Sequence, residues 1–157
     1  MKIGTIVKQT SCSQSNFFMN ETLNRFLNTH VSPVCFYLNL SSLSGLNQYA
    51  LMNVSYAAGF FDGVLIATCL DSAKVLKNIN TNAKKYLYLQ DLEWLRSPVD
   101  FMENHKLLNS FDLISRSKSH ALVIENYANK SSLIIEDWNY EQIKGLIDDF
   151  RKHKKRL

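Results

Sequence analysis

The chain has 157 residues, 46% hydrophobic, 20% charged and 11% aromatic, a composition that excludes disordered and fibrous classes at a length too short for two large domains. Its formal charge of +4 is concentrated at one end: setting aside Arg151, Lys152, Lys154, Lys155 and Arg156 leaves 13 basic against 14 acidic side chains in residues 1–150, so the body is near neutral and the basic character belongs to a tail over 151–157. A core of this size needs no disulfide or metal; the three cysteines, Cys12, Cys35 and Cys69, lack CxxC spacing, and Cys35 and Cys69, in or beside apolar runs, read as small buried hydrophobes in a reducing compartment.

In chain order, Ile3–Val7 reads as a strand, followed by a helix starting near Ser15 or Asn16 with Phe18, Leu23, Phe26 and Leu27 on one face. Val34–Leu38 returns to strand. Leu46, Tyr49, Ala50, Ala57 and Phe60 fit a helical stripe, then Gly63–Ala67 is a buried-type strand and Asp71 is placed to cap a helix. Lys85–Leu89 is a fourth strand, and Ser97-Pro98 has the chemistry of a helix start. Asp112–Ser115 is a fifth strand, 117–128 a helix, Leu133–Ile135 a sixth strand, and Tyr140, Ile143, Leu146, Ile147 and Phe150 fall at helical spacing. Continuous apolar strands alternating with helices predict one α/β domain over 1–150, a three-layer Rossmann-like fold with a mostly parallel sheet of about six strands.

The N-terminal apolar stretch is too short for a signal peptide, and no apolar run is long enough to span a bilayer, so the expectation is a cytoplasmic protein that does not engage membranes. Abundant Asn, Lys and Ile point to an AT-rich coding genome of the kind many phages have, which would place the protein in a host cytoplasm.

Open α/β sheets bind ligands beyond the carboxyl ends of their strands. That rule selects Lys8–Ser13 with Gln9, Thr10 and Ser11 in the turn, then Asn39–Ser44, Thr68–Asp71, Gln90–Glu93, Arg116–Lys118 and Glu136–Asn139. No GxGxxG or GxxxxGK[ST] follows the first strand, which disfavours a dinucleotide or P-loop site, and GxSxG is absent. Cys12 lacks the arginine six residues on that a phosphatase loop requires, that position being Phe18. His30, His105, His120 and His153 show no paired ligand spacing, so neither metal nor cofactor is predicted.

The order of segments resembles the N-terminal, acceptor-side half of GT-B-type glycosyltransferases: a polar turn after the first strand, then Asp62–Thr68, Lys85–Asp91, Asp112–Ser117 and Leu133–Asn139. The resemblance implies sugar transfer from a nucleotide-sugar donor to an acceptor held at the strand ends. It assigns Asp91 the role of orienting or deprotonating the acceptor hydroxyl, with Gln9, Thr10, Ser11, Gln90, Arg116, Ser117 and Lys118 as ligand-binding residues, Arg116 and Lys118 facing an anionic group. From the residues alone, Asp91 is equally a cap for a helix at 92–95, and Arg116 and Lys118 a solvated helix start. The sequence departs from the family at Gln90-Asp91, where a His-Asp pair is usual, and at Asp137-Trp138-Asn139, where the family has an Asn-Gly turn.

The family's donor-binding domain, with its Glu-x7-Glu type pattern, has no counterpart in these residues; Glu141 and Asp149 match the spacing on an amphipathic helix without the glycine-rich surroundings. The expected protein is therefore inactive alone or dependent on a separately encoded donor-binding domain or a homo-oligomer. The alternative is a non-catalytic binding or regulatory module on the same fold, and the basic tail adds an expectation of weak, non-specific nucleic-acid binding.

Overall fold

The computed structural model describes residues 1–10, 13–40, 48–57, 59, 61–96 and 100–154. Its elements are β1 (Lys2–Gln9), α1 (Gln14–Phe26), β2 (Ser32–Asn39), β3 (Ala50–Asn53), α2 (Val54–Ala57), β4 (Gly63–Ala67), α3 (Leu70–Asn78), β5 (Lys84–Leu89), α4 (Phe101–Leu108), β6 (Asp112–Ser115), α5 (Lys118–Ala128), β7 (Ser132–Ile134) and α6 (Tyr140–Lys154), with 3-10 turns at Glu93–Arg96 and Glu136–Trp138.

The seven strands form one sheet in the order β3-β2-β1-β4-β5-β6-β7, every neighbouring pair parallel. The fold is the expected three-layer Rossmann-like α/β arrangement, with the order reversing across β1 and β4. Among the described residues the sheet is wholly parallel and has seven strands rather than about six. The additional strand is β3, whose residues were expected on a helical stripe. Leu51 and Met52 instead lie beside Cys35 and Phe36 of β2 in register, because extending this segment satisfies the edge of β2, a gain that helical spacing cannot register. Leu46, Phe60, Cys12 and the predicted Ser97-Pro98 helix start lie outside the described residues.

The two faces of the sheet build two cores, because successive strand side chains point to opposite sides. Val64 and Ile66 of β4 join Ile3, Val7, Leu23, Phe26, Ile143 and Ile147 under α1 and α6. Leu65 and Ala67 join Ile6, Leu76, Leu87, Leu108 and Ile124 under α3, α4 and α5. Cys35 is buried in the first core, and burial pushes its thiol up to about 11, in keeping with a packing role.

Helix α3 is capped by Cys69 rather than Asp71. The Cys69 sulfur accepts the Ser72 N–H at 3.5 Å, and the Ser72 hydroxyl accepts the Cys69 N–H at 3.0 Å, a reciprocal capping box. Asp71 sits one position inside the first turn and pairs with Lys8 at 2.6 Å. At the other end of the chain α6 is one helix through Lys154, so Arg151, Lys152 and Lys154 continue its last turns, and Lys154 pairs with Asp62. No helix among the described residues is long and apolar enough to cross a membrane.

Candidate functional site

A cleft of about 540 Å³ opens at the carboxyl ends of β5 and β6, between the first turn of α1 and the turn beyond β7. It is lined by Ser13, Gln14, Ser15 and Phe18 from α1 and its cap, Tyr88, Gln90, Asp91 and Glu93 from β5 and the turn after it, Arg116 after β6, and Asp137 and Trp138. It lies beside the reversal of strand order, where open α/β sheets leave room for a ligand.

Its inner wall is aromatic. Tyr88 and Trp138 are each 1% exposed and stack with ring centroids 4.6 Å apart at 22°. The Tyr88 hydroxyl donates to the Ile135 carbonyl at 2.7 Å, and burial pushes its pKa up to about 12, keeping the phenol protonated. Trp138 is held from the opposite side by Thr22 of α1, whose hydroxyl donates to the Trp138 carbonyl at 2.5 Å. Asp137 and Trp138 both adopt left-handed backbone, with φ of 43° and 57°. Two consecutive non-glycine residues in that region carry strain, and the Thr22 bond and the Tyr88 stack are what hold them there. The Trp138 indole N–H is buried without an acceptor among the described residues.

The polar rim is built differently on each side. Ser13 is the N-cap of α1, its hydroxyl accepting the Asn16 N–H at 3.2 Å, and the first turn contains no acidic residue. The Ser15 hydroxyl donates to the Gln90 side-chain carbonyl, tying α1 to the end of β5. Glu93 reaches back to accept the Leu70 N–H at 3.1 Å and so fixes the start of α3. Asp91 and Asp137 are exposed at the rim. Arg116 is exposed as well and makes no hydrogen bond or ion pair among the described residues.

Of the residues proposed from sequence, the fold gathers Gln90, Asp91 and Arg116 into this cleft. Gln9, Thr10, Ser117 and Lys118 are not among its lining residues: Gln9 is exposed at the end of β1, with its carbonyl accepting from the Asn16 side chain at 3.4 Å, and Thr10 is buried. Ser117 caps α5 by accepting the His120 N–H at 3.3 Å, and Lys118 is the exposed first residue of that helix. Ser11 lies outside the described residues. Gln14, Ser15, Phe18 and Tyr88 line the cleft without having been singled out. The available signal was the N-cap Ser13, since a capped helix after β1 of this fold presents its first turn to the strand-end crevice.

His120 stands one turn into α5. Burial and the Arg116 guanidinium lower its pKa from the usual value, against an opposing pull from Asp91, and its Nδ1 is buried without a partner among the described residues. Because the folded form binds the proton more weakly than the unfolded form, its contribution to stability is complete above the ordinary histidine pKa and is lost as pH falls toward the folded value. Urea midpoints measured between about pH 7 and pH 5 are expected to fall less steeply in His120→Gln than in the wild type, and an NMR titration should place His120 below the usual histidine range.

A second hollow of about 320 Å³ lies at the amino-terminal ends of β1, β2 and β4, lined by Met1, His30, Asp62, Arg151 and Lys154 among others. Within it Lys154 pairs with Asp62, and the Met1 ammonium donates to the His30 carbonyl at 3.2 Å. Among the described residues there is no group of three or more His, Cys, Asp or Glu side chains placed to hold a metal ion. The chain matches no protein-family model and no curated protein.

Proposed function

We propose that the strand-end cleft is the acceptor site of a sugar-transfer protein built on the acceptor-side GT-B plan. The observation that carries this reading is the composition of the cleft: hydroxyl-accepting carboxylates at its rim and the half-buried Phe18 ring in its lining. A pyranose offers both matching features, hydroxyl donors around its edge and C–H faces that pack on aromatic rings. The volume of about 540 Å³ falls within the range of small-molecule sites and accommodates one or two sugar rings. Three carboxylates, Asp91, Glu93 and Asp137, face a single guanidinium, Arg116, a balance that favours a hydroxyl-rich acceptor over a nucleotide diphosphate in this cleft.

In the proposed reaction Asp91 accepts a hydrogen bond from the acceptor hydroxyl. As the hydroxyl oxygen attacks the donor's anomeric carbon, the bond from that carbon to the diphosphate oxygen breaks, the nucleoside diphosphate leaves with the electron pair, and Asp91 takes the hydroxyl proton. The donor is a nucleotide sugar held by a donor-binding domain outside this cleft, on another chain or a second copy.

Calorimetric titration with methyl glycosides tests the reading. Replacing a charge-assisted hydrogen bond by a neutral one in Asp91→Asn is expected to weaken binding by about 10-fold. Equal affinities in wild type and Asp91→Asn would overturn the role of Asp91, and absence of binding by any glycoside would overturn the reading itself. Glycoside binding without transfer, in the presence of nucleotide sugar and a donor domain, would favour a non-catalytic sugar-binding module on the same fold.

A further inference from the structure

We infer that a second copy of this chain docks on the free edge of the sheet, β7 pairing antiparallel with β7 of the second copy about a two-fold axis through Leu133, with the two α5 helices packed side by side. The inference goes beyond the sugar-transfer reading and does not depend on it. β7 ends the sheet, and no strand pairs with its outer side among the described residues. The Leu133 carbonyl accepts the Ser115 hydroxyl of β6, and the Ile135 amide donates to the Ser115 carbonyl. By the alternation of a strand, the N–H and C=O of Ser132 and Ile134 therefore point outward, away from β6. Centred on Leu133, an antiparallel pair sets Ser132 opposite Ile134 of the second copy, and the two exchange both backbone hydrogen bonds. The Leu133 side chains, each 48% exposed, then meet in the close, non-hydrogen-bonded position, on the sheet face they share with Ile114.

The helix above the same edge carries matching charges. Tyr127 of α5 stacks on Trp94 and meets Phe101, which sets that flank of the helix against α4. The opposite flank carries Lys118, Ala121, Leu122 and Glu125, at the three- and four-residue spacing of one helix side. Leu122 is 63% exposed, and neither Lys118 nor Glu125 makes an ion pair among the described residues. α5 packs on both β6 and β7. Seated midway over these strands it lies about 2.4 Å inside β7, so the two helices stand about 10 Å apart across the axis, a distance at which helices pack. The level agrees as well. From Ile114, in register with Leu133, the chain climbs about 7 Å to Arg116, and α5 returns at about 1.5 Å per residue, level with Leu133 near Ala121 and Leu122. About that point Lys118 of each helix faces Glu125 of the other, and Leu122 lies on Ala121. One surface is thus complementary in charge to its own copy, as a two-fold contact requires. The two clefts open at opposite ends of the joined sheet.

Sedimentation equilibrium of the full chain over about 1 µM to 1 mM tests the inference, with Lys118→Glu, Glu125→Lys, the double reversal and Leu133→Lys beside wild type. All the substituted side chains are exposed, and far-UV circular dichroism checks that each variant keeps the fold. Wild type is expected to pass from monomer to dimer, with amide exchange at Ser132 and Ile134 slowing as the dimer forms. Each single reversal sets like charges together on both sides of the axis and is expected to weaken association about 10-fold, more at low salt than at high. The double reversal restores opposite pairs and is expected to return affinity to within about 3-fold of wild type. Leu133→Lys is expected to weaken association about 10-fold or more. A monomer at every concentration, a dimer indifferent to Leu133→Lys, or a double reversal no tighter than the singles would overturn the inference, and none of these results bears on glycoside binding in the cleft.

Discussion

Trp138→Ala is expected to destabilise the domain by about 3–5 kcal/mol, the usual cost of removing a buried tryptophan. The ring is among the largest fully buried side chains and packs in the core with Tyr88, Ile143 and Ile147. Its loss also frees the left-handed pair at Asp137 and Trp138, because the Tyr88 stack is one of the two restraints on that turn. At roughly 2–4 °C per kcal/mol for a chain of this size, thermal unfolding is expected about 6–20 °C below wild type. Trp138→Phe keeps an aromatic ring and removes the unpaired indole N–H, so it is expected to recover most of the loss. Calorimetric unfolding of the three proteins checks the ranking. A Trp138→Ala protein as stable as wild type would mean that the cleft wall is not part of the core.

Gly63→Ala is the second large effect. Gly63 has φ of +155°, a region that side-chain-bearing residues rarely adopt, and a Cβ there would lie 2.9 Å from the Lys2 carbonyl carbon and overlap its oxygen. The obstacle is backbone, so no rotamer change removes it. Gly63 is moreover the partner of Lys2 where β1 and β4 pair, the two strands at which sheet order reverses, so a shift there disturbs the centre of the sheet. Strain and overpacking together are expected to cost roughly 2–5 kcal/mol. Gly145→Ala provides the contrast: a Cβ at this helical position meets nothing within 4 Å, and the substitution is expected to stabilise by about 0.5–1 kcal/mol. Urea unfolding of both variants checks the opposite signs.

The parts of the fold that could be read from sequence are those where local and tertiary preferences agree. Gly63–Ala67 is apolar throughout because both of its faces are covered, and it lies near the middle of the sheet as such a run should. β3 has only four residues at an edge, with Ala50 and Met52 exposed, so neither strand periodicity nor an apolar run marked it and a helical stripe fitted equally well. The α3 cap was missed for a chemical reason: cysteine is an uncommon cap, while Asp71 nearby has the expected type and is drawn to Lys8. The strand-end rule pointed to Gln90, Asp91 and Arg116, which the fold brings to one cleft. It had no means of selecting Tyr88, which looks like any core aromatic of its strand, since the stack on Trp138 depends on how the turn after β7 folds back over β5.

The electrostatic character of the cleft also became visible only in three dimensions. Counted along the chain, residues 1–150 are near neutral. Folding brings Asp91, Glu93 and Asp137 together around one guanidinium, while Arg151, Lys152 and Lys154 extend along α6 at the other end of the strands, where Arg151 and Lys154 line the second hollow. The pI therefore describes a surface remote from the proposed acceptor site.

Backbone N–H chemical shifts of the isotopically labelled protein, mapped during titration with methyl glycosides, test whether the strand-end cleft is a sugar site. A sugar site there predicts saturable shifts clustered at Ser15, Gln90, Asp91 and Arg116, with His30, Asp62 and Lys154 unmoved. Shifts confined to those last three residues, or no saturable shift at any of these positions, would contradict it.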